Sequence, residues 1–177
     1  MGKPHSPGPA LLFTGILYSE NEYFEKTKKT LLDLFGPSVM ETSPVNWDHS
    51  DYYKEELGSP IKRIFIFFGN LINHDDIVDI KLKTNSIEDS LSVDGKRRVN
   101  IDPGYLTLAN VVLATTKGYS HRLYLGKGIY GEVSLLYREK DRTFIPHLFT
   151  YQDYLDKNCT DMFLKAREFL KPKKGKK

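Results

Sequence analysis

The last third of the chain holds three apolar segments separated by short connections, and this arrangement limits what the protein can fold into. The segments His121–Leu125, Ile129–Arg138 and Thr143–Leu148 are predicted strands. Connections of only three or four residues join successive strands as an antiparallel meander. The sequence therefore predicts a sheet that is rich in antiparallel pairs.

Upstream of this meander, strand patterns alternate with helical spacing. The runs Leu11–Tyr18 and Ile61–Phe68 are apolar and strand-like, and Val39–Trp47 is predicted to be extended. Helical spacing of apolar residues predicts helices that begin near Ser19, Asn73, Thr107 and Thr150. The segment Thr107–Thr116 is almost wholly apolar, so a buried helix that stops at Gly118 is expected.

These elements predict one α+β domain over residues 10–170, with an antiparallel-rich mixed sheet and about four helices in the order β-α-β-β-α-α-β-β-β-α. Residues 1–9 are predicted to be a flexible leader. Residues 171–177 are predicted to be a basic, disordered tail. The oligomeric state is left open.

Composition fits a packed globule in a reducing compartment. Hydrophobic residues make up 40% of the 177 residues, which is enough for a real core. The single cysteine, Cys159, excludes an intrachain disulfide framework and a cysteine-based zinc cluster. The apolar run Ala10–Tyr18 is too short to span a bilayer. A cytoplasmic protein with no membrane partner is therefore predicted.

Basic residues are unevenly distributed. The formal net charge is +3, yet residues 94–128 carry six basic residues against two acidic ones, and residues 171–177 carry five lysines. The rest of the chain is therefore mildly acidic. A nucleic-acid binder is normally more uniformly basic, so a local anion site is favoured and RNA is a less favoured partner.

The segment DGKRRVNIDPGY (94–105) suggests how such a site could form. Asp102 followed by Pro103 is typical of a helix start, which would leave the amides of Gly104 and Tyr105 free to bind an anion. The predicted anion-binding residues are Lys96, Arg97, Arg98, Asn100, Gly104, Tyr105, Lys117, Arg122 and Lys127. The alternative is a capped buried helix after a solvated basic turn, because Asp102 itself would occupy those amides.

Three residues are candidates for acid–base chemistry. Asp102 or His121 could act as an acid or base on a phosphate ester, and Asp51 could hold a divalent cation. This hypothesis requires the three side chains to converge in one cleft. The alternatives are ordinary capping and turn roles. Asp48 and His49 beside Asp51 could join it in holding a cation, but such residues are also common caps and turn formers. His5, His74 and His147 show no ligand spacing, so no metal site is predicted, and cofactor use is left open.

Residues 123–133, LYLGKGIYGEV, contain the pattern G-x-G-x-x-G. The partner motifs of a kinase are absent, and a strand rather than a helix is predicted after Gly131. A β-hairpin with a type II′ turn at Gly126-Lys127 is therefore expected. Lys127 would then either hang over the anion site or face water.

Four stretches of the chain resemble a known family: DGKRRVNIDPGYLT (94–107), LATTK (113–117), SHRLYLGKGIY (120–130) and DYY followed by a glycine (51–58). They are similar to an uncharacterised prokaryotic domain-of-unknown-function family, some members of which carry an automatic label of GTP-binding protein. The resemblance implies a bacterial or archaeal cytosolic protein and no particular activity. The sequence has neither a G-x-x-x-x-G-K-[ST] loop nor an N-K-x-D motif, so P-loop binding of GTP is not expected.

The sequence leaves four functions open. A binder of a phosphate-bearing small molecule or nucleotide is favoured. A structural or interaction domain, a phosphate-ester hydrolase or transferase, and an RNA-associated protein follow in that order.

Overall fold

One antiparallel sheet of nine strands organises the computed structural model, which describes residues 2–171. The strands are β1 (Ala10–Tyr18), β2 (Ser38–Glu41), β3 (Val45–Asn46), β4 (Lys62–Ile72), β5 (Val99–Leu106), β6 (Asn110–Thr115), β7 (Leu123–Gly126), β8 (Ile129–Arg138) and β9 (Thr143–Ile145). The helices are α1 (Asn21–Phe35), α2 (Asp51–Leu57), α3 (Ile77–Ser90) and α4 (Lys157–Arg167). The α+β fold class is therefore confirmed.

The main path of the sheet runs β2-β4-β1-β5-β6-β8-β7, with β3 paired to β4 and β9 paired to β8. Strand β1 lies inside the sheet, between β4 and β5, and is buried along its whole length. Its mainly apolar sequence fits this position, because both of its faces are covered.

The two faces of the sheet carry different helices. Helices α1 and α3 cover one face, where Phe24, Leu31 and Ile80 join an apolar cluster. Helix α4 covers the other face, where Phe163 is fully buried among aromatic side chains from β1 and β4. Helix α2 packs near the end of β1 on the α4 face, through Leu57.

The sheet splits between β5 and β6. The two strands pair only from Gly104 to Leu106, so the first half of β5 has no strand on its β6 side. Helix α3 supplies partners there: Lys81 Nζ donates to the carbonyl of Ile101 at 2.9 Å, and Glu88 accepts from the amide of Ile101.

Pro103 explains where the pairing stops. Alternate residues of a strand direct their backbone groups to opposite neighbours, so Pro103 faces the same side as Ile101, toward β6. Proline has no N–H to donate to that neighbour. The Asp102-Pro103 pair was predicted to start a helix. That prediction is wrong, because both residues lie inside β5.

The buried helix predicted for Thr107–Thr116 is also wrong. Residues 107–110 form a tight turn in which Thr107 Oγ1 accepts from the amides of Ala109 and Asn110, and β6 follows. A short apolar run has the same pattern in a buried strand as in a buried helix, so periodicity could not distinguish them. The helix that the sequence analysis missed is α2.

The hairpin predicted for LYLGKGIYGEV is present as β7 and β8, but its turn lies one residue later than expected. Lys127 and Gly128 occupy the turn with φ values of 50° and 79°. Two positive φ angles are typical of a type I′ turn, not the predicted type II′. The glycines therefore belong to a hairpin turn and its flanking strands.

Residues 2–9 are exposed and contain no helix or strand. Of the predicted tail, residues 172–177 lie outside the described residues. No helix among the described residues combines the length and the apolar character that crossing a membrane requires.

Candidate functional site

The split in the sheet opens into two adjoining compartments, one on the α4 face and one between α2 and α3. We call the smaller one, of about 90 Å³, the inner cavity, and the larger one, of about 400 Å³, the wide chamber. Four residues line both: Tyr53, Asp102, Thr115 and Tyr151. The two compartments therefore form one cleft, whose junction lies beside the unpaired half of β5.

A network of charged side chains forms the floor of the wide chamber. Arg97 donates from Nε and Nη2 to the two carboxylate oxygens of Glu56, each at 2.7 Å, and from Nη1 to Glu88 at 3.1 Å. Arg97 Nη1 also donates to the side-chain oxygen of Asn100 at 2.9 Å, and the Asn100 amide donates to Asp102 at 3.0 Å. The hydrogen bonds to Glu56 raise the pKa of Arg97 and lower that of Glu56. Arg97 is therefore fully engaged by protein groups.

Arg63 links the wall of the inner cavity to two carboxylates. It is 4% exposed, and its Nη1 lies 3.5 Å from Asp102 and 3.3 Å from Asp153. Burial alone would lower the pKa of Arg63, but Asp153, Tyr154 and Asp102 outweigh it, so the pKa is raised. Gly15 leaves space for this guanidinium, because a Cβ there would lie 2.5 Å from Arg63 Nη2.

Glu132 is the most deeply buried carboxylate of the inner cavity, at 1% exposure. Its Oε2 accepts from Arg122 Nε at 2.7 Å and lies 3.2 Å from His121 Nε2. Arg122 also donates to the Tyr151 hydroxyl at 2.6 Å and to the carbonyl of Lys117 at 2.8 Å. Arg122 therefore supports the cleft from behind and is not itself open to a ligand.

Several buried polar atoms of the inner cavity have no partner among the described residues. They are Glu132 Oε1, Arg63 Nε and the Tyr154 hydroxyl. Each belongs to a side chain that is more than nine-tenths buried. A buried polar group without a hydrogen bond is costly, so clustered exceptions point to a site that receives a polar ligand.

The tyrosines at the junction stay neutral near pH 7. Burial raises the pKa of Tyr53, and the charge of Asp102 raises it further. Burial also raises the pKa of Tyr151. Both phenols can therefore donate hydrogen bonds, while Asp102, with a third of its side chain exposed, can accept them.

The charge balance of the inner cavity is negative. Its lining includes three carboxylates, Asp102, Glu132 and Asp153, and one guanidinium, Arg63. Arg122 neutralises one carboxylate from outside the lining. With histidine counted as neutral, one negative charge is left, and a cationic ligand group would balance it.

The structure scatters the predicted anion-binding residues. Those that line the wide chamber are Arg97, Asn100 and Lys117. Lys96 is exposed in a turn, and Arg98 lies over the ring of Tyr23, 3.4 Å from a carboxylate oxygen of Glu20. Lys127 sits at the hairpin tip and pairs with Asp79 at 2.7 Å, so it does not hang over the chamber.

The structure has no helix N-terminus at Asp102-Pro103, where the sequence analysis predicted anion-binding amides. Gly104 and Tyr105 lie within β5 and pair with strands on both sides. Gly104 is needed for close packing instead, because a Cβ would lie 2.5 Å from both Phe13 and the carbonyl of Val112. Tyr105 stacks on His74 on the α3 face. Neither residue forms an anion cradle.

Of the candidate catalytic residues, only Asp102 lines the cleft directly. His121 reaches it through Glu132, and its ring stacks on Phe149 at 4.3 Å. Asp51 is exposed at the start of α2 and pairs with Lys54. The three side chains therefore do not converge, although Tyr52 and Tyr53, which follow Asp51, do line the wide chamber.

Within residues 2–171, no three His, Cys, Asp or Glu side chains converge in an arrangement that could hold a metal ion. In the loop before α2, Asp48 pairs with Lys54 at 2.6 Å and His49 packs against Trp47.

The sequence analysis missed the residues that define the inner cavity, above all Arg63, Glu132 and Asp153. Two of them carried a usable signal. Arg63 alternates with Phe65 and Phe67 in β4, and Glu132 lies in the mainly apolar strand β8. A charge on the buried face of a strand is almost always paired, so both positions indicated buried ion pairs.

The fold and the cleft define a single-domain α+β protein with a ligand-sized opening at a split antiparallel sheet. The chain belongs to the family described as Domain of unknown function (DUF4416), which matches residues 8–169. No curated protein and no solved structure matches the chain.

Proposed function

We propose that the protein binds a small organic molecule in the cleft, and that a cationic nitrogen group of this ligand occupies the inner cavity. The observation that carries the proposal is Glu132 Oε1, a buried oxygen without a hydrogen-bond partner that belongs to a residue lining a cavity with an excess negative charge. An ammonium or amidinium group would donate to Glu132 and Asp102. The inner cavity opens into the wide chamber, through which the ligand would enter.

The site favours a cation over the phosphate that the sequence analysis expected. The arginines of the basic segment 94–128 are paired with carboxylates: Arg97 with Glu56 and Glu88, and Arg122 with Glu132. A phosphate in the inner cavity would meet three carboxylates at close range, and like charges at such distances are strongly unfavourable.

A second candidate function is the binding of a phosphate-bearing ligand at Lys117, at the rim of the wide chamber. Lys117 lines the wide chamber, is exposed, and lies 5.8 Å from the centre of the Tyr52 ring. Its side chain forms no ion pair among the described residues. A nucleotide or another phosphate-bearing ligand could reach Lys117 without entering the acidic inner cavity.

Thermal unfolding in the presence of matched probes tests both proposals. Benzamidine, which is cationic, should raise the Tm in a concentration-dependent way, whereas benzoate, its anionic analogue, should not. Glu132→Gln should weaken benzamidine binding about tenfold or more, since a hydrogen bond to a charged group contributes about 1.5–3 kcal/mol. Asp102→Asn should weaken it too, and Lys127→Ala is the matched control.

The opposite pattern would overturn the cation proposal: a rise in Tm with benzoate but none with benzamidine. If pyrophosphate raises the Tm and Lys117→Ala abolishes that rise, the rim candidate is supported. Stabilisation by pyrophosphate that survives Lys117→Ala counts against the rim candidate.

A further inference from the structure

A third compartment adjoins the inner cavity and differs from it chemically. This apolar groove, of about 520 Å³, lies between the β2–β3 region and the start of α4. Its apolar lining is formed by Val45, Trp47, Phe65, Cys159 and Met162. Polar residues also line it, but most of its open surface is apolar, and a volume of this size with such a surface is typical of pockets that bind organic ligands.

The apolar groove and the inner cavity share a wall. Trp47, Arg63 and Asp153 line both compartments. At this wall Trp47 Nε1 donates one long hydrogen bond, of 3.4 Å, to Asp153, and the partly buried indole ring packs edge-on against Tyr53. A ligand that occupies both compartments would have to displace the indole ring.

Building on the proposed cationic head group, we propose that the apolar groove holds the hydrophobic tail of the same ligand. The ligand class is then an amphipathic ammonium or amidinium compound, with its head at Glu132 and Asp102 and its tail against Phe65 and Met162.

The charges around the apolar groove fit this class and disfavour a fatty acid. Asp153 and Asp156 line the groove, and its one lining arginine, Arg63, is already shared between Asp153 and Asp102. An anionic head group would therefore find no free arginine and two nearby carboxylates. A cationic head group is attracted by the same residues.

A series of linear amidines tests the tail directly. From acetamidine to hexanamidine the head group is constant and the alkyl chain grows by one methylene at a time. Calorimetric titration at pH 7.5 should show affinity rising about fourfold per methylene, the fold-change expected for burying a CH₂ group. Affinity that does not change with chain length overturns the proposed tail site.

A variant that fills the apolar groove tests whether the alkyl chain of the ligand lies there. Val45 is 58% exposed at its edge, so Val45→Trp should fold and occupy part of the space. In this variant the gain with chain length should vanish while acetamidine affinity is unchanged. The control is Leu34→Trp, since Leu34 is similarly exposed on α1, on the other side of the sheet. An unchanged gain in Val45→Trp overturns the inference.

Cys159 gives an independent readout, because it is the chain's single cysteine and it lines the groove. Burial raises the pKa of the Cys159 thiol, so its modification by N-ethylmaleimide is already slow; hexanamidine should slow it further, and acetamidine should not. Equal protection by both compounds, or by neither, contradicts a tail in the groove. If no amidinium compound binds, benzamidine included, the proposed cationic head and its tail both fail; binding without a chain-length effect removes the tail alone.

Discussion

Two neighbouring regions on the α4 face of the sheet are built from the same strands, but one is an aromatic core and the other contains buried charges. On β4, the side chains of Arg63, Phe65 and Phe67 point to this face in succession. Phe65 and Phe67 pack against Phe163 in an aromatic core, whereas Arg63 lies between two carboxylates in the cleft. A step of two residues thus changes the environment from aromatic core to buried charge.

The difference lies in how each region tolerates change. The aromatic core is stabilised by many non-directional contacts, and the loss of one contact leaves the others in place. The cleft depends on specific partners, and the loss of one partner leaves another charge buried and unpaired. A substitution in the aromatic core should therefore cost stability through the contacts it removes, whereas a substitution in the cleft should cost stability through the charge it leaves unpaired. Four variants test this account.

The largest effect is expected in the aromatic core. Phe163 is fully buried and contacts five aromatic rings, namely Phe13, Phe65, Phe67, Phe144 and Tyr154. Phe163→Ala should lower the free energy of unfolding by about 4 kcal/mol in urea denaturation. Leu34→Ala, at a half-exposed site, is the control and should change it by less than about 1 kcal/mol. Similar losses for the two variants would contradict the assigned core.

In the cleft, the corresponding change is Arg63→Met, which removes the cation and keeps a long apolar side chain. Because Asp102 and Asp153 lose their shared partner, we expect a loss of about 3 kcal/mol. Adding Asp102→Asn and Asp153→Asn should recover most of that loss. If the triple variant is no more stable than Arg63→Met, the cost does not come from unpaired charge.

Glu88 provides a pH test of the buried network. Burial raises the pKa of Glu88 above its ordinary value, so the folded protein holds this proton more tightly than the unfolded chain. Its contribution to stability therefore falls as the pH rises from about 4.5 toward the folded pKa. Relative to wild type, Glu88→Gln should become progressively less destabilising between pH 4 and pH 7. A difference that grows with pH would contradict the raised pKa.

The smallest effect is expected at the split itself. Pro103→Val supplies an N–H that faces β6, and one added ladder hydrogen bond should raise the free energy of unfolding by up to about 1 kcal/mol. The new amide should exchange slowly with solvent. Rapid exchange of that amide would show that Lys81 and Glu88 of α3, not the proline, keep β5 and β6 apart.

The sequence predicted much of the fold because periodicity is local. The long apolar strand β1 and the β7–β8 hairpin followed directly from pattern and turn residues. The split did not, because Asp102-Pro103 favours a helix start equally well, and only pairing with β1 decides between helix and strand.

The candidate site was harder to predict than the fold. Basic residues close together in sequence suggested an anion site, yet the fold pairs the arginines of this segment with carboxylates, two of them from distant segments. Arg97 meets Glu56 from α2, and Arg98 meets Glu20 before α1. These pairings span 41 and 78 residues, so the local run of basic residues could not reveal them.

The most direct test of the cleft as a cation site is a crystal structure of the protein soaked with benzamidine. Density for the amidinium should lie within hydrogen-bond distance of Glu132 Oε1, with the ring directed toward Tyr53 and Trp47, and its occupancy should be clearly lower in crystals of Glu132→Gln soaked at the same concentration. Benzamidine bound outside the cleft, or equally well in both proteins, would contradict the proposed role of Glu132.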